Sequence, residues 1–144
     1  MKHWRSLALF AAIALPILLI ACGGKGAAEY QTLINQLHAA GANVATTSDG
    51  VQLPLTGSEQ SLKVNGELVE VYIYESTGAA NADAAGISPD GQTIKEDQVI
   101  LTLNISASPP HFYKKDLLIA FYSGSTSAVL NALQSALGPE IAGS

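Results

Sequence analysis

The dipeptide Asn65-Gly66 separates Leu62-Lys63-Val64 from the longer run Leu68-Val69-Glu70-Val71-Tyr72-Ile73-Tyr74. Asn and Gly tolerate the positive φ angles of a type I′ turn, whose twist matches that of two paired antiparallel strands. Residues 61–75 are therefore predicted to form a hairpin, and the chain to build an antiparallel sheet around it. On the second strand Val69, Val71 and Ile73 share one face, while Glu70, Tyr72 and Tyr74 share the other. The first of these faces reads as core. The second is amphipathic, with tyrosine hydroxyls able to reach water or a partner.

Two helices supply cover for such a sheet. Over residues 29–40, Tyr30, Leu33, Ile34 and Leu37 recur at i, i+3, i+4 and i+7, and Gly41 is a natural stop. His38, in the last turn, reads as a residue favoured there by the helix dipole. Over residues 126–137 the stripe is Val129, Leu130, Leu133 and Leu137, with Ser125 or Ser127 to cap the start and Gly138-Pro139 to end it. Between the helices, Val44-Ala45-Thr46-Thr47 and Val51-Gln52-Leu53 read as a weak strand pair about Asp49-Gly50. Residues 77–86 form a short alanine-rich helix and Ser88-Pro89-Asp90-Gly91 a turn. Residues 98–106 alternate as a strand, with Val99, Leu101, Leu103 and Ile105 inward. Residues 108–116 are expected to be a Pro-Pro-stiffened connection to the continuous apolar run 117–123, which has the character of a central strand. The tail 140–144 is expected to fray. The predicted fold is α+β: a two-layer sandwich in which two amphipathic helices pack on one face of a mostly antiparallel sheet of four to six strands.

The N-terminus has a separate logic. Lys2 and Arg5 precede an apolar stretch from Leu7 to Ile20. That stretch falls short of the roughly 20 residues a spanning helix needs and is interrupted by Pro16. It closes on Leu19-Ile20-Ala21-Cys22. This arrangement resembles the signal peptide and lipobox of bacterial lipoproteins. The resemblance implies that residues 1–21 are removed and that Cys22 carries a diacylglycerol. The protein is then anchored on the outer face of the cell membrane, or in the outer membrane of a two-membrane cell, with which Gly23 is compatible. Residues 22–28 would form a short glycine-rich linker, reaching at most about 20 Å, and residues 29–144 a single domain. Cys22 is the only cysteine. No intramolecular disulfide can form, so the domain relies on its core. The order of helix, Val-Asn-Gly-Glu hairpin, Ser-Pro-Asp-Gly turn, Pro-Pro-His-Phe-Tyr-Lys segment and terminal Leu-Gly-Pro helix is also similar to that of small envelope lipoproteins. That likeness implies no activity and no active-site residue.

Charge narrows the choice of partner. Loss of Lys2 and Arg5 leaves five of the seven basic residues against 12 acidic ones, a formal charge near −7. Nucleic acid, which needs clustered Lys and Arg, is not expected as a partner, nor is a polybasic grip on anionic lipid. Asn81-Ala82-Asp83 begins like a calcium loop, but Ala85 and Gln92 stand where oxygen ligands are required. No metal or cofactor is expected. Ser123 and Ser125 lack the bracketing glycines of a nucleophile elbow. The surface reading gathers Tyr72, Tyr74, His111, Phe112 and Tyr113 into a candidate binding patch, since interface cores favour such side chains. The function expected is a non-catalytic accessory or binding module, held to the membrane through Cys22 and engaging an envelope protein or ligand. The alternative is an envelope hydrolase or metal-dependent enzyme centred on His111, with Ser123 or nearby acids.

Overall fold

The computed structural model describes residues 24–103 and 108–143. Its elements are α1 (Lys25–Ala39), β1 (Val44–Thr47), β2 (Ser58–Val64), β3 (Glu67–Ile73), α2 (Thr77–Gly86), β4 (Thr93–Glu96), β5 (Val99–Thr102), β6 (Pro110–Lys115), β7 (Leu118–Ser123), α3 (Ser127–Leu137) and β8 (Glu140–Gly143). Six strands form one sheet in the order β1-β2-β3-β7-β6-β8, and β4 and β5 form a separate hairpin. Every pairing is antiparallel. The fold is α+β, with α1 and α3 side by side on one face of the sheet.

The Asn65-Gly66 turn forms as predicted, with φ of 53° and 84° and Val64 paired with Glu67. Asn65 also holds the entry to β1. Its side-chain Oδ1 accepts the Asn43 N–H at 2.9 Å, and its own N–H donates to the Asn43 carbonyl at 2.7 Å.

The face beneath α1 and α3 is an apolar core. Leu33 and Leu37 of α1 and Val129, Leu133 and Leu137 of α3 pack on Leu62, Val64, Val69, Val71, Leu118 and Ala120. Burial of each large side chain there contributes about 1.5–3 kcal/mol relative to exposure. The helix ends are tied down by polar contacts. Glu29 accepts the Leu117 N–H at 2.8 Å. Lys115 donates to the Ala136 carbonyl at 3.1 Å, one of the acceptors that the C-terminus of α3 leaves open.

The opposite face is covered as well. Residues 48–57 cross it as a strap, and α2 and the β4–β5 hairpin complete the cover. Leu53, Tyr72, Tyr74, Ala80, Ile87, Ile94, Phe112, Ile119 and Phe121 are buried between them and the sheet. Central β7, covered on both sides, is the two-sided strand its apolar run predicts.

Several predicted elements change. α1 begins at Lys25, so Lys25–Ala28 of the predicted linker are helical. Gly26 permits this early start by lying directly against Ile73 and the Tyr74 carbonyl, where a Cβ would collide. Val51-Gln52-Leu53 is not a strand, and β1 pairs with β2 instead. The strap's backbone donors are taken by side chains of β3: Val51 N–H by Glu70 and Leu53 N–H by Tyr72, both at 2.9 Å. Of the predicted strand 98–106, Val99–Thr102 form β5, paired with β4, and residues 104–106, Ile105 among them, lie outside the described residues. Val99, expected to point inward, is exposed, because the hairpin reaches the core only through Ile94, Leu101 and Leu103. Residues 108–116 hold β6 rather than a loop. Pro110 takes the strand's first position, where a proline is tolerated, and His-Phe-Tyr continues with strand-forming side chains. The tail 140–143 is the edge strand β8, turned back at Gly138, whose φ is 91°. At the start of α3 the cap is Thr126, with no side-chain capping bond, because its hydroxyl donates to Glu67.

Candidate functional site

Strand alternation separates the five residues of the predicted patch. His111 and Tyr113 of β6 face the α1–α3 layer, whereas Tyr72, Tyr74 and Phe112 face the strap and α2. All five are buried: Tyr72 is 1 % exposed, Tyr74 3 %, His111 5 %, Phe112 0 % and Tyr113 3 %. The exposed aromatic patch expected from the sequence does not exist. The tyrosine hydroxyls that suggested an outward face instead find partners inside. Tyr72 receives Leu53 N–H, and Tyr74 donates to Asp83 Oδ2 at 2.7 Å. Burial pushes the Tyr72 hydroxyl up to about 12. Burial, with Asp83 beside it, raises Tyr74 further.

His111 is the residue on which the catalytic alternative turns. Its Nδ1 lies 3.0 Å from Glu140 Oε1, and its ring stacks on Tyr122 with centroids 6.1 Å apart. Its Nε2 is buried and has no hydrogen-bond partner among the described residues. Ser123 belongs to the opposite face of β7, where its hydroxyl donates to the Ser108 carbonyl at 3.1 Å. Base and proposed nucleophile are therefore on different sides of the sheet. Tyr122 donates to Glu67, and the Tyr122 and Thr126 hydroxyls hold that carboxyl below its usual range. This set of side chains ties α3 and β8 to the sheet. Among the described residues, no three His, Cys, Asp or Glu side chains converge as metal ligands would.

Two buried acids escaped the sequence reading. Glu70, 1 % exposed, receives Val51 N–H and the Ser61 hydroxyl, the latter at 2.6 Å. Asp83, 2 % exposed, receives the Thr56 N–H at 2.6 Å, the Thr56 hydroxyl at 3.0 Å and the Tyr74 hydroxyl. Each carboxylate pins the strap to an element beneath it. Both have an acidic neighbour. Partial burial and the proximity of Glu70 raise the pKa of Glu59. Desolvation and Asp83 do the same to Glu96. The available signal for Glu70 was its place in register with Tyr72 and Tyr74; for Asp83 no local signal existed.

The surface offers shallow features. A hollow of about 80 Å³ lies among Glu29, Leu33, Gln36, Lys115 and Leu137. An open recess of about 370 Å³ runs between Gly24–Ala27 and Ser58, Ile73 and Glu75. The first also holds Thr32 and Asp116, but its Glu29 is bonded to the Leu117 N–H and its Lys115 to the Ala136 carbonyl. The second has Lys25 and Glu75 at its rim. Exposed large apolar side chains are Val51, Ile141 and the adjacent pair Val99 and Ile100, the pair 54 % and 66 % exposed. No described helix is long and apolar enough to cross a membrane. Leu19, Ile20, Ala21 and Cys22 lie outside the described residues, so the lipidation site rests on the sequence. No family model, no curated protein and no solved structure matches the chain.

Proposed function

We propose that the chain is a bacterial envelope lipoprotein, anchored by diacylglycerol on Cys22, whose domain serves as a non-catalytic accessory module at the membrane surface. The observation that carries this reading is the sequence Leu19-Ile20-Ala21-Cys22 at the end of a short apolar run behind Lys2 and Arg5. The lone cysteine agrees with it, since a thioether gives that thiol a use. The early start of α1 agrees too: only Gly23 and Gly24 separate Cys22 from the first helical residue. A domain held so closely is suited to work beside the lipid rather than at a distance. The catalytic alternative has less support, because His111 Nε2 meets no nucleophile and Ser123 faces away.

The test is metabolic labelling with a clickable palmitate, followed by membrane fractionation. The wild-type chain should take up label and sediment with membranes, and Cys22→Ser should lose both. Label retained by Cys22→Ser, or a wild-type chain that stays unlabelled, overturns the proposal.

A further inference from the structure

The Cys22 anchor specifies which end of the domain meets the bilayer. From Cys22 through Gly24 the chain reaches at most about 10 Å. The start of α1 must therefore lie near the lipid headgroups. Gly26 packs against Ile73 and the Tyr74 carbonyl, at the end of β3 remote from the Asn65-Gly66 turn. The β4–β5 hairpin reaches the same end. The Tyr74 hydroxyl is bonded to Asp83, and Glu96, the last residue of β4, lies against Asp83. Residues 97 and 98 form the hairpin's turn, and Val99 and Ile100 follow immediately.

Those two side chains are uncovered by the described residues. Ile100 pairs across the hairpin with Lys95, on the side turned away from Ile94 and Leu101. Val99 pairs with Glu96 beyond the last core contact. On this end the charges are mixed: Lys25, Lys95, Lys114 and Lys115 stand among Glu29, Glu75, Glu96, Asp97 and Asp116, where the start of α1, the end of β3, the hairpin tip and the β6–β7 turn meet. Attraction to anionic lipid is thus balanced by repulsion, and apolar insertion is the contribution that remains.

We propose that the β4–β5 hairpin is a second membrane contact, in which Val99 and Ile100 enter the interfacial region of the phospholipid bilayer and fix the tilt of the anchored domain. This inference rests on the lipid anchoring proposed above. A side-chain contact of this kind adds to the acyl chains by the same burial of CH₂ groups that gives them their affinity.

The test uses the full, lipidated chain reconstituted into phosphatidylethanolamine–phosphatidylglycerol vesicles. With Cys22 occupied by lipid, Ile100→Cys supplies a single free thiol for an environment-sensitive fluorophore. Gln98→Cys is a second position on the hairpin. Ala128→Cys, on the exposed start of α3 at the opposite end of the sheet, is the reference. Lipid-borne spin labels should quench the probe at positions 98 and 100 several-fold more than at 128, and added salt should not change this. Equal quenching at 100 and 128 in a palmitate-labelled chain overturns the hairpin contact and leaves the anchor standing. A blue-shifted probe at 100 without lipid quenching also overturns it, by placing the hairpin against protein. If Cys22 itself reacts with the fluorophore, the anchor fails and the hairpin contact fails with it.

Discussion

The two faces of the central sheet are buried to the same depth by different chemistry. Under α1 and α3 the contacts are mostly Leu, Val and Ala, joined by Tyr113 and Tyr122, and the polar bonds of β6 and β7 on this side are His111 to Glu140 and Tyr122 to Glu67. Under the strap and α2 the interior contains Glu70 and Asp83, each receiving two or three hydrogen bonds from groups above and below it. The first face is held by area and shape, which are non-directional. The second is held by directed bonds, and these fail singly and locally, because a buried acceptor or donor left without its partner carries a desolvation cost.

Substitutions can separate the two modes. The largest effect is expected from Leu133→Ala, which empties a fully buried site between α3 and the sheet. Urea unfolding should show a loss of about 3–4 kcal/mol in a single transition. Next is Asp83→Ala, expected to cost about 2–3 kcal/mol by stranding the Tyr74 hydroxyl and Thr56 N–H. Its loss should be visible by hydrogen exchange as faster opening of residues 51–57 and α2, with α1 and α3 protected. Uniform loss of protection would mean that the two faces are one cooperative unit.

The smallest effect has the opposite sign. The folded-state pKa of Glu59 is raised above its ordinary 4.5 by burial and by Glu70. Between 4.5 and that raised value the native state holds more protons than the unfolded chain, so this group lowers stability as pH rises through the window. Glu59→Gln should remove the penalty. Thermal unfolding at pH 7 should show stabilisation, by less than about 1 kcal/mol, and little change at pH 4. Destabilisation at pH 7 would show that Glu59 is held by a favourable bond rather than opposed by its neighbour.

The two faces also differed in how far the sequence disclosed them. The stripes of α1 and α3, the Asn65-Gly66 turn and the apolar run of β7 are local patterns with a fixed period, and each appears where its period placed it. The strap has no period. Its backbone is satisfied by side chains 19 and 27 residues away, and nothing near Val51 or Thr56 marks those partners. The aromatic residues misled for a related reason. A tyrosine on an amphipathic face is suited equally to water or to a buried acceptor, and only the placement of Asp83 and Leu53 decides between them. Likewise the partner of His111 is Glu140, on a four-residue edge strand too short to announce itself by alternation. The lipidation proposed at Cys22 rests on adjacent residues and not on the fold.

The sheet order carries a consequence for the time course of folding. β1, β2 and β3 each pair with a neighbour in the chain, as do β6 and β7, while β8 returns after α3 to pair with β6. The two halves meet along one seam, where Val69–Ile73 of β3 align with Leu118–Tyr122 of β7. This is the longest-range pairing of the main sheet. The entropy of closing such a loop grows only logarithmically with its length. Changes in the length of the connection that carries α2 and the hairpin should therefore weigh little on the rate. Changes to the β-branched and small residues that mate at the seam act on the step that joins one half to the other. The length of the polypeptide between the halves is, in kinetic terms, an adjustable tether, even though its Asp83 and Ile94 are fixed by the core they complete.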